Sequence, residues 1–166
     1  RFLAASLEYK SERFLRICSD NPFIDIELLE AQISAFEQDD DYCSYYTQTG
    51  ENVMLKPIGF FVEAVTRNAL KKAAELGSDD PRTQEHVTYY IHNHPADFKI
   101  KKILFPDFIN PELRFTIDYP DDVLVAEYII KKINKPNARN IMDLVRRDNE
   151  LNQMISKIGI AYPKIY

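Results

Sequence analysis

Short, β-prone apolar runs alternate with amphipathic helical runs along most of this 166-residue chain. That alternation restricts the fold more than any other feature. A strand followed by a helix, repeated, buries its apolar residues best as a sheet with helices packed against it. Residues 1–11 read as a helix and 13–18 as a short buried strand. Residues 25–38 read as a helix with Asp25 placed to cap it, and 41–48 as a strand. A polar turn at 49–52 leads into extended chain broken at Pro57 and Gly59. Residues 66–77 form a helix between a Thr66 N-cap and a Gly77 stop. The spacing predicts one further helix over 80–95, strands over 98–106 and 112–118, and a helix opened by Pro120. Two short helices follow Pro136. The expected class is α/β with a mixed sheet, divided into a domain over 1–133 and a helical tail, 134–166, packed on it.

In such sheets ligands sit beyond the carboxyl ends of strands. The stretch "RICSDNPFID", 16–25, fits that pattern, because a strand-like run stops abruptly at Ser19-Asp20-Asn21-Pro22. Asp118 closes the expected strand 112–118 in the same manner. Two readings of this pair stand side by side. The carboxylates could share one divalent cation, since Mg²⁺ takes one or two carboxylates together with substrate phosphates. Alternatively each caps the following helix.

Other residues are less directive. On one continuous helix His86 and His92 lie about 600° apart and so on different faces. With His94 they read as exposed residues near a helix end rather than as a zinc site. Glu63, inside "FFVEAV", either faces solvent at a strand edge or is aimed at a ligand hydroxyl. Cys18 and Cys43 read as buried free thiols of a reducing, cytoplasmic compartment. A net charge of −5 argues against a general nucleic-acid or membrane binder. No apolar run is long enough to span a bilayer. The four glycines, at 50, 59, 77 and 159, are too scattered for a G-x-G-x-x-G motif or a P-loop.

Several stretches together resemble one family. "RICSDNPFID" resembles the "RxTGDxPLID" segment of the cytidylyltransferases that activate sugars, and most closely the spore coat polysaccharide biosynthesis protein F type. "DYCSY" is similar to "DYVSN", and "PIGFFVEAVTRNALKKA" to "PxGLDVEVFSxxALxxA". "QEHVTYYIHNHPADFKI" resembles "REHVTPYIxxxPxxFKI", and "RFTIDYPDDVLVAEYI" resembles "RLTVDxPEDLxLVRxI". The matches run in order from about Phe14 to Ile130 and leave the tail from Asn134 uncovered.

The resemblance implies a Rossmann-like, glycosyltransferase-A-type nucleotidyltransferase fold, truncated here at the N-terminus. It implies a reaction of CTP with a sugar or sugar phosphate to give a CMP- or CDP-sugar and pyrophosphate, with Mg²⁺ as cofactor. Asp20 and Asp118 take the metal-binding, catalytic positions. Glu63, His86 and Arg114 fall on matching positions near the sugar, and a homodimer is expected. The chain departs from the pattern in three residues: Ser19 replaces the glycine before the metal aspartate, Phe61 the "LDVE" acid, and Gln84 the "REH" arginine. The family's basic loop of the type "ARxGSxRLPGK" has no counterpart here. The chain also opens at Arg1 inside a helical pattern, so a longer parent is expected, with the short chain inactive alone. The alternative is a non-catalytic sugar-recognition or dimerisation domain.

Overall fold

The computed structural model describes residues 2–86 and 88–162. Its centre is a four-stranded mixed sheet in the order β1 (Arg13–Arg16), β3 (Glu63–Thr66), β2 (Tyr42–Tyr46), β4 (Ile100–Leu104). β3 pairs antiparallel with both β1 and β2, and β2 pairs parallel with β4. Hence β1, β2 and β4 point the same way, and their carboxyl ends share one edge. All five residues of β2 are buried, because helices cover both of its faces.

On one face, Tyr42 and Val65 meet α1 (Phe2–Glu8), α3 (Arg67–Leu76) and α5 (Tyr89–Asn93) through Phe2, Leu70, Ala73 and Ile91. On the other, Tyr45, Phe60, Phe61 and Phe105 join a larger core with α6 (Pro120–Lys132), α7 (Ala138–Arg147) and α8 (Asn149–Ala161). Val125, Ile129, Ile141, Leu144 and Leu151 supply most of the helical side of that core. Alternation of side chains along β2 produces this division.

Local signals behave as the sequence suggests. Asp25 caps α2 (Ile26–Ala35) by accepting from Leu28 N at 3.0 Å. Its other oxygen accepts from Ala138 N at 2.8 Å, so one carboxylate serves both the start of α2 and the start of α7. Thr66 caps α3 through Ala69 N, and Gly77 ends it.

Two expected elements are absent. No strand forms over 112–118. That segment crosses the irregular chain before β3, donating from Phe115 N to Pro57 O at 2.8 Å and from Ile117 N to Asp20 O at 2.8 Å. Its neighbour cannot offer a regular ladder, because Pro57 lacks an N–H and Gly59 adopts φ +78°. The helix expected over 80–95 is instead α4 (Pro81–Glu85) and α5, separated by non-helical backbone at His86. The break lets Thr83 and Tyr90 both close on the end of α3, within 2.9 Å of where a Cβ on Gly77 would lie.

Gly59 is required for two reasons. A Cβ there would approach the Phe115 carbonyl carbon to 2.9 Å, and the positive φ disfavours any L side chain. Gly59→Ala should therefore cost about 2–4 kcal/mol, summing conformational strain and backbone displacement. Gly50 shares a positive φ but has open space around it, so Gly50→Ala should cost about 1–2 kcal/mol. Urea unfolding of the two variants makes the comparison.

Candidate functional site

The turn after β1 and the 112–118 segment meet at the edge where β1, β2 and β4 end. The bond from Ile117 N to the Asp20 carbonyl sets Asp118 beside the Asp20 turn. Neither acid ends a strand as expected: β1 stops at Arg16, and Asp118 precedes α6 without a strand before it. Their chain neighbourhood is nonetheless shared.

Asp118 is 43% exposed at its side chain, and its Oδ2 accepts from Arg114 and from Thr116 Oγ1, both at 2.7 Å. Arg114 is clamped in turn by Asp122, with bonds of 3.1 and 3.0 Å to its two oxygens. Asp122 is 5% exposed and also accepts from the backbone N–H groups of Asp118 and Tyr119, each at 2.8 Å. It is therefore the hub of this turn. In the sequence it reads only as one of two acids complementing the dipole of α6. Asp20 differs from all of these, because its Oδ1 is buried with no hydrogen-bond partner.

Glu63 corrects one of its two expected readings: it does not face solvent at a strand edge, being completely buried at the start of β3. Arg16 pairs with one of its oxygens. The Tyr42 hydroxyl donates to the other, Oε1, which also lies 3.0 Å from His92 Nε2. Asn52 Nδ2 donates to Tyr42 Oη at 3.0 Å and to Tyr46 Oη at 3.3 Å. Burial would push the Glu63 carboxyl up, but His92, Arg16 and the Tyr42 hydroxyl together outweigh it and hold the group at about 2. Burial beside Glu63 drives the Tyr42 hydroxyl well above the ordinary phenol range.

A carboxyl depressed on folding stabilises the native state above its unfolded pKa and loses that contribution as pH falls. Here the loss should run from about pH 4.5 down to about pH 2 and amount to about 3 kcal/mol. Urea midpoints measured across that window should fall steeply in the wild type and much less in Glu63→Gln.

The histidines separate. His86 and His94 are exposed, the latter stacked on Tyr90 at 3.9 Å. The His92 side chain is only 8% exposed, contrary to its expected place near an exposed helix end. Among the described residues no three His, Cys, Asp or Glu side chains gather as a metal cluster. His86, Glu63 and Arg114, grouped by resemblance near the sugar, do not converge through any shared hydrogen bond among the described residues. Cys43 is buried, whereas Cys18 is half-buried beside Arg16 and Asp20. Phe61, where the family pattern has an acid, packs in the core with its ring tilted against those of Tyr45 and Phe105. The run "IGFFVEAV" is buried throughout, so it offers no apolar surface to a second subunit. Among the described residues no helix is long and apolar enough to cross a membrane.

Comparison with known proteins adds to this geometry. Residues 1–152 match the cytidylyltransferase family model. The chain is 36% identical over 153 residues to the spore coat polysaccharide biosynthesis protein SpsF of Bacillus subtilis (strain 168), covering 89% of this chain and 60% of that protein. It is 30% identical over 162 residues to the uncharacterized protein MJ1063 of Methanocaldococcus jannaschii, covering 95% of this chain and 63% of that one. The chain thus spans less than two thirds of the length of these relatives. A solved cytidylyltransferase from Leptospira borgpetersenii serovar Hardjo-bovis (strain JB197) superposes with a TM-score of 0.78 at 19% identity, over 99% of this chain and 65% of that one. The shared fold is the Rossmann-like α/β class expected from the sequence.

Proposed function

The chain belongs to the cytidylyltransferase family, and on that premise we propose that its intact parent joins CTP to a sugar for surface polysaccharide biosynthesis. A sugar oxygen forms a bond to the α-phosphorus, and the proton of an attacking hydroxyl passes to solvent. The bond from that phosphorus to the bridging oxygen breaks, and pyrophosphate leaves with the electron pair. The carrying observation is the Asp20 turn: a buried carboxylate oxygen without a partner, held beside Asp118 by the Ile117 amide.

These two acids suit Mg²⁺, a hard cation that prefers carboxylate oxygens. Asp118 accepts from both Arg114 and Thr116 on Oδ2, and Asp20 Oδ1 lacks any partner. When bound, Mg²⁺ would screen the charge that develops on the phosphates. Arg114 orients Asp118, and Asp122 fixes Arg114. The triphosphate also needs a cradle of backbone N–H groups and cationic side chains. The scattered glycines of residues 1–166 do not supply one. We place that cradle in the part of the relatives' length that the chain does not span.

The test is sugar-dependent pyrophosphate release from CTP and Mg²⁺. The parent should release it with at least one sugar or sugar phosphate of a broad panel, and residues 1–166 alone should not. Turnover by the short chain would put the nucleotide site within it. A silent parent would favour a non-catalytic sugar-recognition domain.

We also propose that the protein is a homodimer. The support is apolar side chains left in solvent away from "IGFFVEAV", among them Leu104 at 63% and Ile160 at 83% exposure. Light scattering should report twice the 19.4 kDa chain mass; a monomer at micromolar concentration would refute the proposal.

A further inference from the structure

Helix α8 reaches back to the turn that carries Asp118. At its start, Asp148 and Glu150 accept from the Tyr128 hydroxyl of α6 at 3.0 and 2.9 Å. At its end, Tyr162 meets Tyr119, the residue before α6. The two helices therefore run antiparallel, and the length of α8 delivers Tyr162 to the Asp118 turn. Leu151 and Ile158 anchor α8 in the larger core, against which Tyr162 also packs. The Tyr162 N–H donates to Ile158 O at 2.9 Å and fixes the residue at the end of the helix.

Tyr162 makes two contacts there. Its ring lies almost parallel to that of Tyr119, with planes 6° apart and centroids 4.0 Å apart. Its hydroxyl donates to Asp121 Oδ2 at 3.4 Å, beyond the usual O–H···O range, so the ring carries most of the contact. The Arg114 guanidinium carbon stands 5.0 Å from the centre of the same Tyr119 ring, within cation–π range. Arg114 in turn donates to Asp118 Oδ2 at 2.7 Å and to both oxygens of Asp122. A continuous path of contacts runs from Tyr162 through Tyr119 and Arg114 to Asp118.

This path matters because its members are only partly held by burial. Tyr119 is 42% exposed and Asp118 43% exposed at its side chain. Side chains that exposed change rotamer within nanoseconds unless a neighbour restrains them. Among the described residues Tyr162 is the one aromatic ring stacked on Tyr119.

We propose that Tyr162 is a positioning residue for the Asp118 carboxylate, acting through Tyr119 and Arg114. This rests on the preceding reading of Asp118 as a metal-binding acid and deepens it. The residues matched by the family model end at 152, so the match assigns nothing to Tyr162. The helical tail, expected only to pack on the domain, is thereby part of the site's construction.

Hydrogen exchange of the ¹⁵N-labelled chain, followed by NMR without nucleotide or metal, tests this. The reporters are Arg114 Nε–H, bonded to Asp122 at 3.1 Å, and the backbone N–H groups of Asp118 and Tyr119, bonded to the same carboxylate. Tyr162→Ala should speed their exchange about three- to tenfold, the equilibrium weight of one aromatic pair. Ile129, fully buried in the core, should not change and serves as the reference for global opening. Tyr162→Phe keeps the ring and loses only the 3.4 Å bond, so it should stay close to the wild type. In a Tyr119→Ala background, Tyr162→Ala should add little, because the path between them is cut. Unchanged exchange at the turn in Tyr162→Ala would overturn the proposal. So would an equal rise at Ile129, a Tyr162→Phe effect as large as that of Tyr162→Ala, or full additivity with Tyr119→Ala. The sample holds no cation, so the outcome separates from the metal reading. A chain whose turn loosens in Tyr162→Ala yet binds no Mn²⁺ defeats the metal reading alone.

Discussion

Glu63→Ala should destabilise the protein by about 3–5 kcal/mol, the cost of removing one partner from a buried ion pair. For a domain whose whole stability is of order 5–15 kcal/mol, this is a large share. The size follows from what the substitution strands. Arg16, 18% exposed, loses its counter-ion. The Tyr42 hydroxyl, itself fully buried, loses its acceptor, and His92 Nε2 keeps only Tyr42. Removing the charges together should cost much less, since well-packed apolar replacements of a buried pair are often close to neutral. The double variant Arg16→Met/Glu63→Leu should accordingly recover part of the loss in urea titrations. A loss below about 1 kcal/mol in Glu63→Ala would mean that the buried network contributes little.

The second large effect is on chemistry. Asp118→Asn and Asp20→Asn should each lower sugar-dependent pyrophosphate release by the parent at least about a hundredfold. Metal-supplied charge stabilisation is worth several kcal/mol, and each 1.4 kcal/mol is tenfold. Stability should move little in Asp118→Asn. The side chain is 43% exposed, and an amide oxygen can still accept from Arg114 and Thr116. Activity and folding thus respond to different residues: Glu63 governs the second and Asp118 the first. Asp118→Asn with unchanged turnover would remove Asp118 from the cation site.

The contrast between these two acids also shows what the sequence discloses. Asp25, Thr66 and Gly77 act within a turn of their own positions, so their roles are legible from local spacing. The four strands with local alternation or dense apolar runs are legible for the same reason. Glu63 is not, because its partners stand 47, 21 and 29 residues away at Arg16, Tyr42 and His92. Only the fold brings them together. The 112–118 segment has a strand-like composition, yet its neighbour contains Pro57 and a left-handed Gly59, so pairing is limited to isolated bonds. Periodicity alone carries one continuous helix across His86 and His92. Non-helical backbone at His86 rotates His92 instead onto the sheet. Asp122 carried one available signal, its place three residues into a helix opened by Pro120, where an acid reaches back to free backbone N–H groups.

The cation site proposed for Asp20 and Asp118 can be tested directly by paramagnetic broadening with Mn²⁺, a substitute for Mg²⁺ with the same preference for oxygen ligands. Amide spectra of the chain should lose intensity first around residues 19–21 and 117–119, and Asp118→Asn should weaken the effect at both stretches together. Broadening centred elsewhere, or loss at one stretch that leaves the other intact, would contradict a cation held by both acids.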